Sequence, residues 1–337
     1  DGGRRSYQQA PSTAMRSERR SWLLVLPVLA LAGLIIAWSA WWYVTLTRTK
    51  EGFSAFEANL AARGGALSCN DEAWDGYPFR IELSCARLAL RLSRNGPTFE
   101  TQRVRALAKA YAINDVVAQA QGPSRLSFAD GRAFDLAHAP MNAGFRLDRD
   151  GRAEAMLRVS STVLKEGDAV LAQGARLELA ADNQDSRSVA FRIAAEEAVV
   201  SPRPGAQISI PTFGMEGLID NLPPGFATLP SDLLTAAATS GARLGVRSLD
   251  AMVEGSSMKG VGAEGYPDGR IGIQVSDADR FLGALAAKGL VDRKAAGLGM
   301  MLLGLLMGKN AAPVDLAFRN GRISWGPIKL LEHGPIR

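Results

Sequence analysis

Hydrophobic and polar positions follow three different rhythms along this chain. From Ser21 to Thr47 no residue is charged, and the apolar run Trp22 to Leu46 is long enough, at about 1.5 Å per residue, to cross a bilayer core of roughly 30 Å. A transmembrane helix is predicted there. Phe53, Phe56, Leu60 and Ala61 then recur at helical spacing before Gly64-Gly65, which predicts a short separate helix with a stop. From Ala66 the period drops to two, weakly at Leu67 and Cys69, then clearly in Phe79-Arg80-Ile81-Glu82-Leu83-Ser84 and Leu88-Ala89-Leu90-Arg91-Leu92. The same alternation returns at Leu126-Ser127-Phe128, Phe145 to Asp148, Leu157 to Val159, Arg176 to Leu179 and Phe191 to Ile193, with Asp130-Gly131 and Asp150-Gly151 as turns. Strands with one apolar face, joined by tight turns, form an antiparallel meander.

A run of prolines changes the regime. Pro202, Pro204, Pro211, Pro223, Pro224 and Pro230 predict a connector over 201–232, because proline cannot donate to a sheet ladder. Beyond it, Leu233 to Ala238 suggests a short helix and Arg243 to Val253 a strand. Gly265-Tyr266-Pro267 with Arg270-Ile271 echoes Gly76-Tyr77-Pro78 with Arg80-Ile81. Ala278 to Gly308 reads as helix, with Phe281, Leu282 and Leu285 in one part and Leu298, Met301, Leu302, Leu305 and Leu306 in the other. The uncharged part, Ala295 to Gly308, is fourteen residues, too short to span a membrane and suited to a core or interfacial helix. Asn320-Gly321 predicts a closing hairpin. The fold class expected is α+β: an N-terminal transmembrane helix, a long curved antiparallel sheet forming an open groove or half-barrel, and a packed C-terminal helix.

Charge adds orientation to this layout. Arg4, Arg5, Arg16, Arg19 and Arg20 precede the apolar run, so the positive-inside rule keeps residues 1–21 cytoplasmic and exports the chain beyond the anchor at 22–46. Trp38, Trp41, Trp42 and Tyr43 make an aromatic belt at the outer interface. A cleaved signal peptide competes, with Leu29 to Gly33 as the small-residue site, but apolar character continues unbroken to Leu46. Met15 offers a more conventional start, and the residues before it have no apolar periodicity and read as disordered. The remaining organisation is an extracytoplasmic β-rich part at 48–200, the connector, and a C-terminal α+β part at 233–337 that continues the sheet. A single-pass membrane protein with an extracytoplasmic main domain is therefore expected.

Composition narrows the chemistry. The net charge is +5, of which the first twenty residues supply +3, leaving +2 on the rest; with arginines scattered singly among apolar residues, nucleic acid is not the expected partner. Cys69 and Cys85 are the only two cysteines, both beyond the anchor where oxidation is permitted, and a disulfide is expected. Closing so short a loop is worth about 3 kcal/mol. His138 and His333, the only histidines, do not lie at metal-ligand spacing from a cysteine, so no metal is expected. Gly297-Leu298-Gly299 lacks the strand and acidic partner of a dinucleotide site. No nucleophile elbow is present, and carboxylates such as Asp182, Glu196 and Glu197 sit among polar turn residues. Neither an enzyme nor a cofactor is expected.

The densest constellation is Cys69, Trp74, Gly76, Tyr77, Pro78, Phe79, Arg80 and Cys85, in which Gly-aromatic-Pro is a turn that launches a strand. Asp75 to Ile81 after an N-terminal anchor, the flanking cysteines, and the terminal Asn320-Gly321-Arg322-Ile323 with Gly326-Pro327 resemble the bacterial domain-of-unknown-function family 2125. That family is similar in layout to AsmA-like envelope proteins, and the resemblance implies a role in handling lipid or supporting the envelope. A sheet this long offers more apolar face than one helix can hide. The expected function is non-enzymatic binding or passage of membrane lipid or another hydrophobic ligand. The groove is assigned to Phe79, Ile81, Leu83, Leu126 and Phe128, with Leu298, Met301, Leu302 and Leu305 from the late helix. Arg80 and Glu82 are expected on the opposite side. The alternative is a structural or assembly factor with a closed core that engages another envelope protein.

Overall fold

A computed structural model of the chain describes residues 18–91, 93–94, 96–203, 205–222, 242–261, 269–291, 297, 313–319, 322–325 and 328–332. It opens with one continuous helix, α1 (Glu18–Ala62), where two were expected. Nothing between Thr47 and Gly52 stops it, since the segment has no proline and one glycine costs only about 1 kcal/mol in a helix. The apolar run and the amphipathic segment therefore fuse into a rod about 67 Å long. From Val25 onward it is long and apolar enough to cross a membrane.

Among the described residues, one antiparallel sheet of seventeen strands follows. The first strands are β1 (Ala66–Asn70), β2 (Ala73–Asp75), β3 (Arg80–Arg91), β4 (Thr98–Lys109) and β5 (Ala112–Ser127). Then come β6 (Ala133–Ala137), β7 (Met141–Leu147), β8 (Ala153–Glu166), β9 (Ala169–Asp185), β10 (Ser188–Arg203) and β11 (Ala206–Asp220). The last are β12 (Arg243–Val253), β13 (Ser256–Val261), β14 (Gly269–Val275), β15 (Pro313–Arg319), β16 (Arg322–Trp325) and β17 (Ile328–Glu332). Both β1 and β2 pair with one edge of β3, while β6 and β7 lie end to end between β5 and β8. Otherwise each strand pairs with its sequence neighbours, as a meander requires. Asp130-Gly131 and Asp150-Gly151 form the turns expected of them, with Gly131 at φ 88° and Gly151 at φ 78°.

The proline-rich segment is a correction. Residues 206–220 form no connector: β11 is a central strand paired with β10 on one side and β12 on the other. Pro211 is tolerated because the ladder steps from Ala198–Ile210 to Glu196–Thr212 around it, and Glu197 opposite takes a left-handed φ of 51°. The missing N–H thus falls at an irregular rung. Pro202 likewise lies within a strand, near the end of β10, while Pro204 and residues 223–241, with Pro223, Pro224, Pro230 and the expected helix at Leu233 to Ala238, lie outside the described residues.

The most enclosed core sits late in the chain. Helix α2 (Ala278–Ala287) buries Phe281, Leu282 and Leu285 against Ile273, Val275 and Val291, with Ile208, Leu249, Val253 and Met258 around them. The helix was expected to run to Gly308. It is described to Ala287, and Leu298, Met301, Leu302, Leu305 and Leu306 lie outside the described residues. Lys288, next after α2, forms a 2.5 Å ion pair with Glu254, which also accepts the Ser209 N–H at 2.6 Å. Burial pushes the Glu254 carboxyl up, but the Lys288 ammonium and the Ser209 N–H outweigh it and hold it below the ordinary carboxylate value.

Candidate functional site

Directly paired residues in a sheet share a face, so the register can be followed across the molecule. Starting at Leu83, the rungs run to Ala106, Ala118, Ala143 and Leu157. They continue through Leu179, Ile193, Met215 and Leu249 to Gly260 and Ile273. No polar side chain interrupts this row. The adjacent row on the opposite face starts at Ser84 and runs through Arg105, Gln119, Asn142, Arg158 and Glu178. Its side chains bind one another: Arg158 meets Glu178 at 2.6 Å, and Gln119 meets Asn142 at 3.3 Å. One face of the sheet is therefore apolar and the other is a network of polar pairs.

Burial decides whether the apolar face is a closed core. Every residue of the row from Leu83 to Leu249 is only partly buried, and full burial returns at Gly260 and at Ile273, the latter beneath α2. Between β7 and β12 the face forms an open recess of about 740 Å³, lined by Phe145, Leu157, Leu179, Phe191, Ile193 and Met215, with Arg192 the one charged lining residue among the described residues. Gly217 contributes to this surface by what it lacks. A Cβ there would collide with the Phe191 ring and lie 2.5 Å from the Gly245 carbonyl, so glycine lets the aromatic ring lie flat over β11.

The sequence-assigned residues divide. Ile81 is buried and Leu83 is half-buried on the apolar face, the latter opposite Trp74. Leu126 pairs with Phe99 and Phe134, and Phe128 meets Phe134 edge-on at 5.7 Å, at the other end of β5. Phe79 lies in the turn before β3, 65% exposed, with its ring 5.9 Å from that of Trp38; it does not line the recess, and this corrects its assignment. Arg80 is exposed, as expected of the opposite side. Glu82 shares that side but is only 7% exposed, because Arg105 covers it with bonds of 2.5 and 2.7 Å.

Cys69 and Cys85 are joined, with Cα atoms 5.3 Å apart, and tie β1 to β3. The Gly76 motif is a turn as predicted: Gly76 has φ 110°, and its carbonyl accepts the Arg80 N–H at 3.0 Å. Its second role was hidden in the sequence. Trp38 donates to the Pro78 carbonyl at 2.9 Å, Trp42 to the Arg80 carbonyl at 3.0 Å, and Ser39 meets the Tyr77 hydroxyl at 2.8 Å. The i, i+4 spacing of Trp38 and Trp42, read as a helix face instead of a belt, was the available signal. Further along, Phe53 packs on Trp74 at 5.8 Å, so α1 lies along the first strands on their apolar side.

A second feature had no sequence signal. Ser124 Oγ lies 2.8 Å from His138 Nε2 and 2.9 Å from Thr101 Oγ1, while His138 Nδ1 meets the Ala139 carbonyl at 2.6 Å. A hydroxyl beside an imidazole is nucleophile geometry, but Ser124 and Thr101 are each 2% exposed, and a substrate has no approach. The group satisfies buried polar atoms where β5 bends between β6 and β7.

With this geometry in view, comparison with sequence families matches residues 41–333 to the family described as "Uncharacterized protein conserved in bacteria (DUF2125)". The chain belongs to DUF2125. No curated protein and no solved structure matches it. The DUF2125 match begins within the docking face of α1 and spans every strand, so the Trp42 contact, the cystine and the apolar row all fall inside it.

Proposed function

We propose that this DUF2125 protein is a single-pass protein of the bacterial inner membrane, cytoplasmic at its N-terminus and periplasmic in its sheet. In this reading it has no enzymatic activity, and its apolar face receives and passes the acyl chains of membrane lipid. One observation carries the proposal: an unbroken apolar row crosses the sheet from Leu83 to Ile273 and stays only partly buried as far as Leu249. A recess of about 740 Å³ is within the range of small-molecule sites. Its lining is almost free of polar groups, which suits hydrocarbon better than a metabolite.

Energetics favour passage over storage. A lipid tail in the bilayer is already as well solvated as on leucine side chains, so moving it onto the face gains little hydrophobic free energy. A ligand held nearly isoenergetically enters and leaves readily. The orientation is supported by the five arginines ahead of the apolar run and by the cystine, which belongs in an oxidising compartment. Native mass spectrometry of the full chain released from lipid nanodiscs tests the reading. Retained phospholipid supports it; a bare chain under conditions that keep the fold favours an assembly factor instead.

A further inference from the structure

We propose a separate phospholipid headgroup site at the foot of the sheet, between α1 and the turns β4–β5 and β7–β8. The inference rests on the membrane-anchored reading of α1. Trp41, Thr45 and Arg48 of α1, Tyr111 in the β4–β5 turn, Ile113 of β5, Leu147 at the end of β7 and Arg149 beyond it line a recess of about 540 Å³.

Its height relative to the membrane comes from the docking contacts. Trp38 and Trp42, which hold the Tyr77-Pro78 turn, precede Leu46, the end of the apolar run, by eight and four residues. Along a helix that is about 12 and 6 Å, so the strand ends beside them reach into the headgroup layer, which is several ångströms thick. The side chains presented there match that layer. Tyr77 is 53% exposed, and Phe79 and Tyr111 are each 65% exposed; in water this would be an unfavourable cluster, whereas aromatic rings are favoured at a bilayer interface.

Charge selects the headgroup. Arg146 in this recess is committed to Asp115 and Glu154, each at 3.8 Å. Arg48 and Arg149 are exposed and make no ion pair among the described residues, and Asp148 is the remaining acid of the lining. Two uncommitted guanidiniums above an aromatic rim suit the phosphate of an anionic glycerophospholipid. Leu147 in this recess and Phe145 in the larger one lie two residues apart on the same side of β7, about 7 Å. A headgroup held at the foot therefore directs its acyl chains onto the apolar face.

The test uses the full chain in nanodiscs with p-benzoylphenylalanine in place of Tyr111, illuminated in phosphatidylcholine discs with or without phosphatidylglycerol. The expected result is a phosphatidylglycerol adduct whose yield falls roughly thirtyfold in the double variant Arg48→Gln, Arg149→Gln, from about a fivefold effect per cation lost near an anionic surface. The charge-reversed Arg48→Glu, Arg149→Glu pair should fall further, and both pairs should melt like the parent. Equal adduct yields in neutral and anionic discs, or unchanged yields in both double variants, overturn the site. Ile193→Asp, which obstructs the larger recess alone, should leave the Tyr111 adduct intact; if that variant also leaves lipid retention intact, the acyl-chain reading fails while the headgroup site stands.

Discussion

Ile193 sits mid-row between Leu179 and Met215 and faces the larger recess, so Ile193→Asp separates an open face from a closed core. In the lipid-free protein the new carboxylate reaches water through the recess. The loss is then that of a half-buried aliphatic side chain, about 1 kcal/mol, and the melting temperature should fall by about 2–4 °C. With an acyl chain over it, the carboxylate must be desolvated or protonated, at about 2.5–3.5 kcal/mol on membrane-insertion scales. Affinity for a fluorescent acyl-chain probe should drop by roughly 100-fold. Titration of the full chain with that probe, alongside calorimetry, reads both quantities. Glu178→Gln on the polar face is the control and should leave probe binding unchanged. Unchanged binding in Ile193→Asp refutes the assignment of the face. A collapse of the melting temperature by more than about 10 °C, well beyond the shift of a surface change, shows instead that protein covers it.

Other expectations concern the scaffold. Cys85→Ser should cost about 2 kcal/mol, the low end for native disulfides, because β1 keeps its ladder to β3; chemical denaturation measures it, and the sheet should still form. Arg105→Ala uncovers the nearly buried Glu82 carboxylate and should cost about 1–2 kcal/mol, below the roughly 3–5 of a fully buried pair because Arg105 itself is exposed; a double-mutant cycle with Glu82→Gln should recover part of it. The Glu254 pair has a defined pH dependence. Its carboxyl is depressed in the folded state, so its contribution is fully present above the ordinary carboxylate value and is lost as pH falls through the lower folded value. Replacing Lys288 with Met should flatten that acid limb in melting curves recorded across pH.

Local signals carried most of the strand assignment. Period-two alternation and the Asp-Gly turns reached β3, β7 to β10 and, to the residue, β12 (Arg243–Val253), because one face of each strand is apolar and the other charged. The fused α1 was not legible, since a continuous helix and two abutting ones differ only in whether Thr47 to Gly52 propagates. β11 was missed because Pro211 argues locally against a strand, and the irregular rung that accommodates it involves Glu197, fourteen residues earlier. The candidate face was legible in kind, with Ile81 and Leu83 placed on it, but Phe79 was misassigned. Alternation put it in phase with Ile81, whereas the strand begins only at Arg80 and the turn delivers its ring to Trp38. The recess between β7 and β12 depends on register across six strands, which no single segment encodes.

Lipid passage requires that hydrocarbon occupy the sheet. Membranes containing phospholipid with a diazirine at the end of one acyl chain, loaded with the full chain and illuminated, should yield adducts on peptides from β7 to β11 as well as on α1. Adducts confined to the apolar run of α1, with none on the peptides carrying Leu157, Leu179, Ile193 and Met215, would contradict it.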